Sequence, residues 1–149
     1  MAVTASGIFV ATMLDILDVT ALDTNFDQDD HKVAMFTDSV TPNFDTDTAY
    51  GSAPYNANEV SGTGYTAGGA TLAGSTIVGS SGSLVHDATD VAWSGSTITN
   101  AMCALAYADA ETGNNTLYLV DFVTAFSTNN GTFTIQWHAS GIWAIDLTP

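Results

Sequence analysis

The stretch that decides the fold lies near the C-terminus and reads Thr132-Phe133-Thr134-Ile135-Gln136-Trp137. Apolar and polar side chains alternate along it, which is the period of a β-strand with one face toward a core. The turn signal Asn129-Asn130-Gly131 precedes it, and Ser140-Gly141 leads into a second extended segment, Ile142-Trp143-Ala144-Ile145-Asp146-Leu147. We expect these two segments to pair as a hairpin at the end of the chain.

Segments of the same kind recur upstream and are separated by turn residues. Alternating or apolar segments lie at 31–37, 70–73, 76–78, 83–86, 90–93, 98–107 and 116–122. The continuous apolar run within 98–107 predicts a strand that is buried on both faces. Seven or more short strands joined by turns predict a mainly β fold, as a single β-sandwich or a jelly-roll-like barrel.

Size and composition agree with one such domain. The chain has 149 residues, of which 46% are hydrophobic and only 11% charged. Aspartate, which favours turns, accounts for 14 of the 16 acidic residues, so many short strands are more plausible than long surface helices. We expect a single domain over 1–149, in which an N-terminal helical segment over 1–22 precedes a β domain over 31–149.

The N-terminal segment has a different periodicity. Apolar residues recur there at helical spacing: Ile8, Phe9, Val10, Met13, Leu14, Ile16 and Leu17. This pattern predicts an amphipathic helix over about 4–18, with Thr4 or Ser6 as its N-cap. The apolar stripe can dock on the chain's own core or on a neighbouring subunit, and the sequence leaves both open. The candidate contact residues are Ile8, Phe9, Met13 and Leu17.

A long loop is predicted over about 38–61, after the strand at 31–37. Loops of this length without strands or helices are uncommon in compact domains and tend to carry function or contacts. Its aromatic residues Phe44, Tyr50 and Tyr55 are further candidates for contacts with partners.

The charge excludes several classes of partner. Lys32 is the only lysine, the chain has no arginine, and the formal net charge is −15. Nucleic acids and anionic membranes are therefore poor partners, because they are bound through Lys and Arg. The first 18 residues lack the basic start of a secretory signal, and no apolar run approaches the roughly 20 residues of a membrane span. We expect a soluble protein that is made in the cytoplasm.

Motifs for nucleotide or calcium binding are incomplete. The glycine-rich stretch at 62–69 has the wrong spacing for a dinucleotide fingerprint and lacks the lysine of a P-loop. Asn43, Asp45 and Asp47 imitate the start of an EF-hand loop, but Thr48 and Pro54 occupy the positions of its glycine and its glutamate. Irregular divalent-cation sites between subunits stay open, with the acidic run at 27–30 as one source of ligands.

Catalytic patterns are equally weak. The three histidines, His31, His86 and His138, stand at no metal-ligand spacing, and no nucleophile elbow occurs. Cys103 lies in an apolar run, so we expect a buried, unreactive thiol. Paired carboxylates with tryptophans that stack on sugars would suit a glycosidase, but Trp137 and Trp143 occupy core-type positions on the predicted hairpin. The sequence predicts no catalytic, cofactor-binding or metal-binding residue, and no enzyme.

Four motifs in a fixed order carry a resemblance. They are 58–69 (NEVSGTGYTAGG), 88–94 (ATDVAWS), 96–101 (STITNA) and 131–137 (GTFTIQW), with His31-Lys32-Val33 and Ser39-Val40-Thr41-Pro42 before them. Together they span about 31–147 and resemble a family of small tailed-phage proteins. Members of that family place a basic residue after the STIT motif, where this chain has Met102 and Cys103, so a charged contact there is in doubt.

The resemblance implies a structural protein of the virion. From the size, the β content and the separable N-terminal segment we expect a capsid decoration (cement) protein, made in the host cytoplasm and located on the capsid exterior. It would form a homo-oligomer, a trimer being the expected form, and bind the major capsid protein. The alternative is a tail- or fibre-associated structural or carbohydrate-binding module, with Trp93 or Tyr65 in contact with the sugar. The resemblance transfers no catalytic residues.

Overall fold

A computed structural model describes residues 3–17, 24–27 and 31–148. Within these ranges the chain is mainly β, with antiparallel strands and one short helix. The elements are β1 (Gly7–Ile8), α1 (Val10–Leu17), β2 (His31–Phe36), β3 (Ala70–Thr71), β4 (Thr76–Ser80), β5 (Ser83–Asp87), β6 (Val91–Ser96), β7 (Ala101–Ala108), β8 (Thr116–Phe126), β9 (Gly131–Ile135) and β10 (Trp143–Asp146). None of the described helices is long and apolar enough to cross a membrane.

The largest sheet has five strands in the order β1-β8-β7-β2-β3. Every residue of its central strand, β7, is buried, as the apolar run predicted. Side chains of β7 alternate between two hydrophobic clusters, with the small Ala104 and Ala106 on one face and the larger Leu105 and Tyr107 on the other. A sheet with two apolar faces needs a cover on each of them.

The first face is covered by two smaller sheets, with strand orders β10-β5-β4 and β6-β9. Val91 and Trp93 of β6 and Phe133 and Ile135 of β9 share one buried cluster with that face, which we call the first cluster. Ile77 of β4 and the partly buried Trp143 of β10 pack against it.

The second face is covered by the N-terminal segment and by the loop between β2 and β3. Val3, Phe9, Val40 and Tyr55 form the second cluster there with residues of β2, β7 and β8. Tyr55 is 2% exposed and Phe9 is fully buried. The loop covers residues 37–69, so it is longer than the predicted 38–61, and it contains isolated bridges but no strand.

The predicted terminal hairpin is wrong, although its faces are correct. In β9, Phe133 and Ile135 are buried while Thr132 and Thr134 are exposed, as the alternation predicted. However, β9 pairs with β6 and β10 pairs with β5, so the two segments belong to different sheets. Alternation specifies which side chains face the core and says nothing about which strand lies alongside.

The N-terminal segment also differs from its prediction. Gly7–Ile8 is a strand that pairs with β8, and the helix begins only at Val10. Met13 N donates to Phe9 O in the first helical turn, and Ser6 Oγ accepts from Asp121 N instead of capping the helix. Residues 1–2 and 18–22 of the predicted helical segment lie outside the described residues.

Candidate interaction surfaces

Helix α1 exposes an apolar stripe. Thr12 faces inward, where its Oγ1 donates to Thr116 O. Val10, Leu14 and Leu17 lie on the opposite side and are 44%, 62% and 80% exposed. Residues at spacings of four and three follow one line along a helix, so these three side chains form a single outer stripe of α1.

The predicted contact residues divide between core and surface. Leu17 lies on the outer stripe, and Ile8 and Met13 are half-buried. The remaining four, Phe9, Phe44, Tyr50 and Tyr55, all pack in or against the second cluster. Phe9 packs on the Phe44 ring at a centroid distance of 5.1 Å and edge-on to Tyr55 at 6.0 Å. In this structure these rings stabilise the chain's own fold, and a contact with another chain stays a prediction.

Glu59 holds the long loop against the sheet. Its Oε1 accepts hydrogen bonds from Tyr65 Oη at 2.7 Å and from Gly68 N at 2.7 Å, and its Oε2 accepts from Tyr50 Oη at 2.8 Å. The Tyr50 ring stacks on Tyr107 at a centroid distance of 4.3 Å. Three donors to one carboxylate tie two parts of the loop to each other and to β7.

The same contacts keep these phenols protonated. Burial, followed by the hydrogen bond to Glu59 and its charge, raises the pKa of Tyr50 to about 12. Burial likewise raises the pKa of Tyr65 and Tyr107. The tyrosines are therefore neutral donors at pH 7. The three hydrogen bonds to Glu59, which we call the clasp, have a structural role and do not act as an acid or base.

Two buried histidines both pack against Phe26. The Phe26 ring lies 5.9 Å from the His31 ring and 5.4 Å from the His86 ring. His86 Nδ1 donates to Thr76 O at 3.1 Å, so its Nε2, 3.2 Å from Tyr118 Oη, accepts the phenol proton. Burial lowers the pKa of His86 to about 4. This imidazole is neutral at pH 7, which its accepting nitrogen requires.

The other candidate groups in the sequence are possible metal ligands, the thiol of Cys103, and Trp93 and Tyr65 as possible sugar contacts. No group of three or more His, Cys, Asp or Glu residues within 3–17, 24–27 and 31–148 could hold a metal ion. Of the acidic run at 27–30, only Asp27 is described. Cys103 is fully buried, as predicted, and burial raises its pKa to about 12. Trp93 is 6% exposed, whereas Tyr65 is half-buried and donates its hydroxyl to Glu59.

A groove runs between β8 and β9, and the sequence did not reveal it. Its volume is about 420 Å³, and its lining is Val120, Phe122, Phe126, Ser127, Thr128, Thr132, Phe133, Thr134, Ile135, Gln136 and Trp137. None of these residues is charged, on a chain whose net charge is −15. The signal that could have indicated it is the aromatic pair Phe122 and Phe126 at the end of β8, of which Phe126 is 51% exposed.

Comparison with protein-family models, with curated proteins and with solved structures gives no match.

Proposed function

We propose that the chain is a non-enzymatic structural protein of a phage particle: a capsid decoration protein that forms homotrimers on the capsid exterior and binds the major capsid protein. The outer stripe of α1 carries this proposal. Its three large apolar side chains are 44–80% exposed, and covering each of them at an interface would contribute about 1–2 kcal/mol.

The ordered set of phage-like motifs supports a role in a phage particle, and the net charge supports a position on its outer surface. A protein with a net charge of −15 and a single lysine is repelled by packaged DNA, so the outside of a shell suits it better than the inside. We also propose that the architecture is a β-sandwich, because the five-stranded sheet and the two smaller sheets enclose the first cluster between them.

Light scattering after size-exclusion chromatography tests the trimer. Wild-type protein should give three times the 15.4 kDa of one chain. Since each subunit carries a charge of −15, association should strengthen as salt screens the repulsion. The double variant Leu14→Ser/Leu17→Ser should be a folded monomer. Val78→Ser, which removes a 54% exposed apolar side chain from β4, is the matched control and should leave the trimer intact.

Co-sedimentation with empty heads built from the major capsid protein tests the location. Wild-type protein should pellet with the heads, and electron microscopy should show density on their outer surface at a fixed copy number. Wild-type protein that stays monomeric at all salt concentrations, or density confined to the tail, would overturn the proposal.

A further inference from the structure

The groove between β8 and β9 is bounded on one side by the edge of a strand. Six consecutive residues, Thr132 to Trp137, line it. Successive side chains of a strand point to opposite faces, so a cavity above one face would contact every second residue only. A lining of consecutive residues shows that the groove follows the edge of β9. Within the part of the chain that the structure describes, β6 is the one strand paired with β9, and the edge along the groove carries no strand.

The main chain of β9 offers hydrogen bonds along this edge. Gly131 O accepts from Ser96 Oγ at 3.3 Å, and Trp137 N donates to Asp90 Oδ1 at 2.9 Å. Both groups therefore point toward β6. Because the main-chain groups of an antiparallel strand alternate between its two edges, those of Thr132 and Thr134 point into the groove, and Gln136 follows one residue beyond the end of β9.

The opposite wall is one apolar face of β8. Val120 and Phe122 lie two residues apart, and Phe126 continues the wall. The Phe122 ring lies 6.3 Å from the Phe126 ring and 6.0 Å from the Phe133 ring. A strand laid against the edge of β9 would place every second side chain on this wall.

We propose that the groove binds an extended peptide segment of a partner protein, which adds to the β6–β9 sheet as a third strand. Its side chains toward β8 are apolar, because the wall is aromatic and the groove lining is uncharged. Basic residues flank the segment, because they are attracted by the net charge of −15 that the chain carries outside the uncharged groove lining. This inference does not depend on the capsid function proposed above.

Charge also argues against a second copy of this chain as the occupant. Each copy brings a charge of −15, and its single lysine, Lys32, is bound to Asp109 at 2.9 Å. A partner with a basic segment gains the attraction that a second copy lacks.

Synthetic peptides test the proposal on the full-length protein. The probe has a core of alternating valine and threonine, two lysines at each end, and capped termini. In NMR spectra we expect it to shift the amide signals of Thr132, Thr134 and Gln136 and to protect these amides from exchange. Replacing the terminal lysines with glutamates, or the central core residue with proline, should weaken binding about tenfold or more.

Two proline variants distinguish binding by strand addition from nonspecific binding of the peptide. Thr134→Pro removes a main-chain donor that points into the groove and should abolish binding. Ala92→Pro is the matched control, because Ala92 lies directly opposite Thr134 and its main chain points to the far edge of the sheet. Phe126→Ala, at the exposed wall, should weaken binding without touching the ladder, and thermal unfolding checks that each variant is folded.

Several results would overturn the proposal. The first is no shift of these amides at millimolar peptide, and the second is equal binding by Thr134→Pro and wild-type protein. Saturation of the groove by neutral oligosaccharides with no effect of the peptide would identify a sugar site instead. Amide shifts in the groove that appear on raising the protein concentration alone would identify a second copy as the occupant.

Discussion

Acidification should destabilise the fold through His86. This imidazole is fully buried, and its burial lowers its pKa from 6.5 to about 4. Between these pH values the unfolded chain binds a proton that the folded chain does not bind. The stability that neutral His86 permits is therefore present above pH 6.5 and is lost as the pH falls toward 4.

The size of the effect follows from the shift. A lowering from 6.5 to about 4, at about 1.4 kcal/mol per pH unit, amounts to about 3 kcal/mol when the pH lies below both values. About 2 kcal/mol of this should be lost by roughly pH 5. Protonation of the 16 acidic residues acts in the opposite direction by relieving the net charge of −15, so the total stability alone does not isolate the histidine.

A difference measurement isolates it. Urea unfolding of wild-type protein and of His86→Gln at several pH values gives two curves in which the carboxylates contribute alike. The stability advantage of wild-type protein over His86→Gln should shrink by about 2 kcal/mol between pH 7 and roughly pH 5. His138→Gln removes an exposed imidazole and serves as the control for a His-to-Gln substitution outside the core.

NMR titration of the imidazole signals covers the case in which His86→Gln does not fold. The His86 signals of wild-type protein should stay those of the neutral ring down to about pH 5. Titration of His86 near 6.5, or a constant difference between the two unfolding curves, would refute the reasoning.

Three further experiments test local features of the fold. Val123, which is 78% exposed, has a φ of 67°, so Val123→Gly should raise the free energy of unfolding by about 0.5–1 kcal/mol in urea melts, whereas Val78→Gly on β4 should lower it. Glu59→Gln should cost about 2 kcal/mol in the same assay, and alkaline absorbance titration should show the pKa of Tyr50 falling from about 12; an unchanged Tyr50 titration would contradict the clasp. Cys103 in native protein should react with a thiol reagent at about pH 8 only as fast as the chain unfolds, and rapid native labelling would count against its burial.

Burial could be predicted from the sequence wherever the pattern of apolar residues within one strand determines it. The apolar run of β7 showed that both of its faces are buried, and the alternation in β9 showed which of its residues face the core. These properties depend on the side chains of one segment alone, so a local pattern is enough.

Strand partners could not be predicted in the same way. The strand β10 follows β9 closely in the chain, yet β10 pairs with β5 and β9 pairs with β6. The turn signals between β9 and β10 suit a hairpin, but both strands carry apolar side chains that several neighbours could cover. The choice is made by the packing of whole sheets over the first cluster, which no single segment encodes.

The roles of Phe9 and Tyr55 follow from a prediction that was already correct. A central strand with two apolar faces requires a cover on each of them. The two smaller sheets cover only the first face. The apolar residues left over for the second face lie in the N-terminal segment and in the long loop, so some of their aromatic side chains have to enter the core. Phe9 and Tyr55 do so, while Leu14 and Leu17 keep an exposed apolar surface. The outer stripe of α1 is thus an apolar surface of the N-terminal segment that is not buried in the chain's own described core. Contact with another subunit would bury it, so substitutions on this stripe should affect the oligomer.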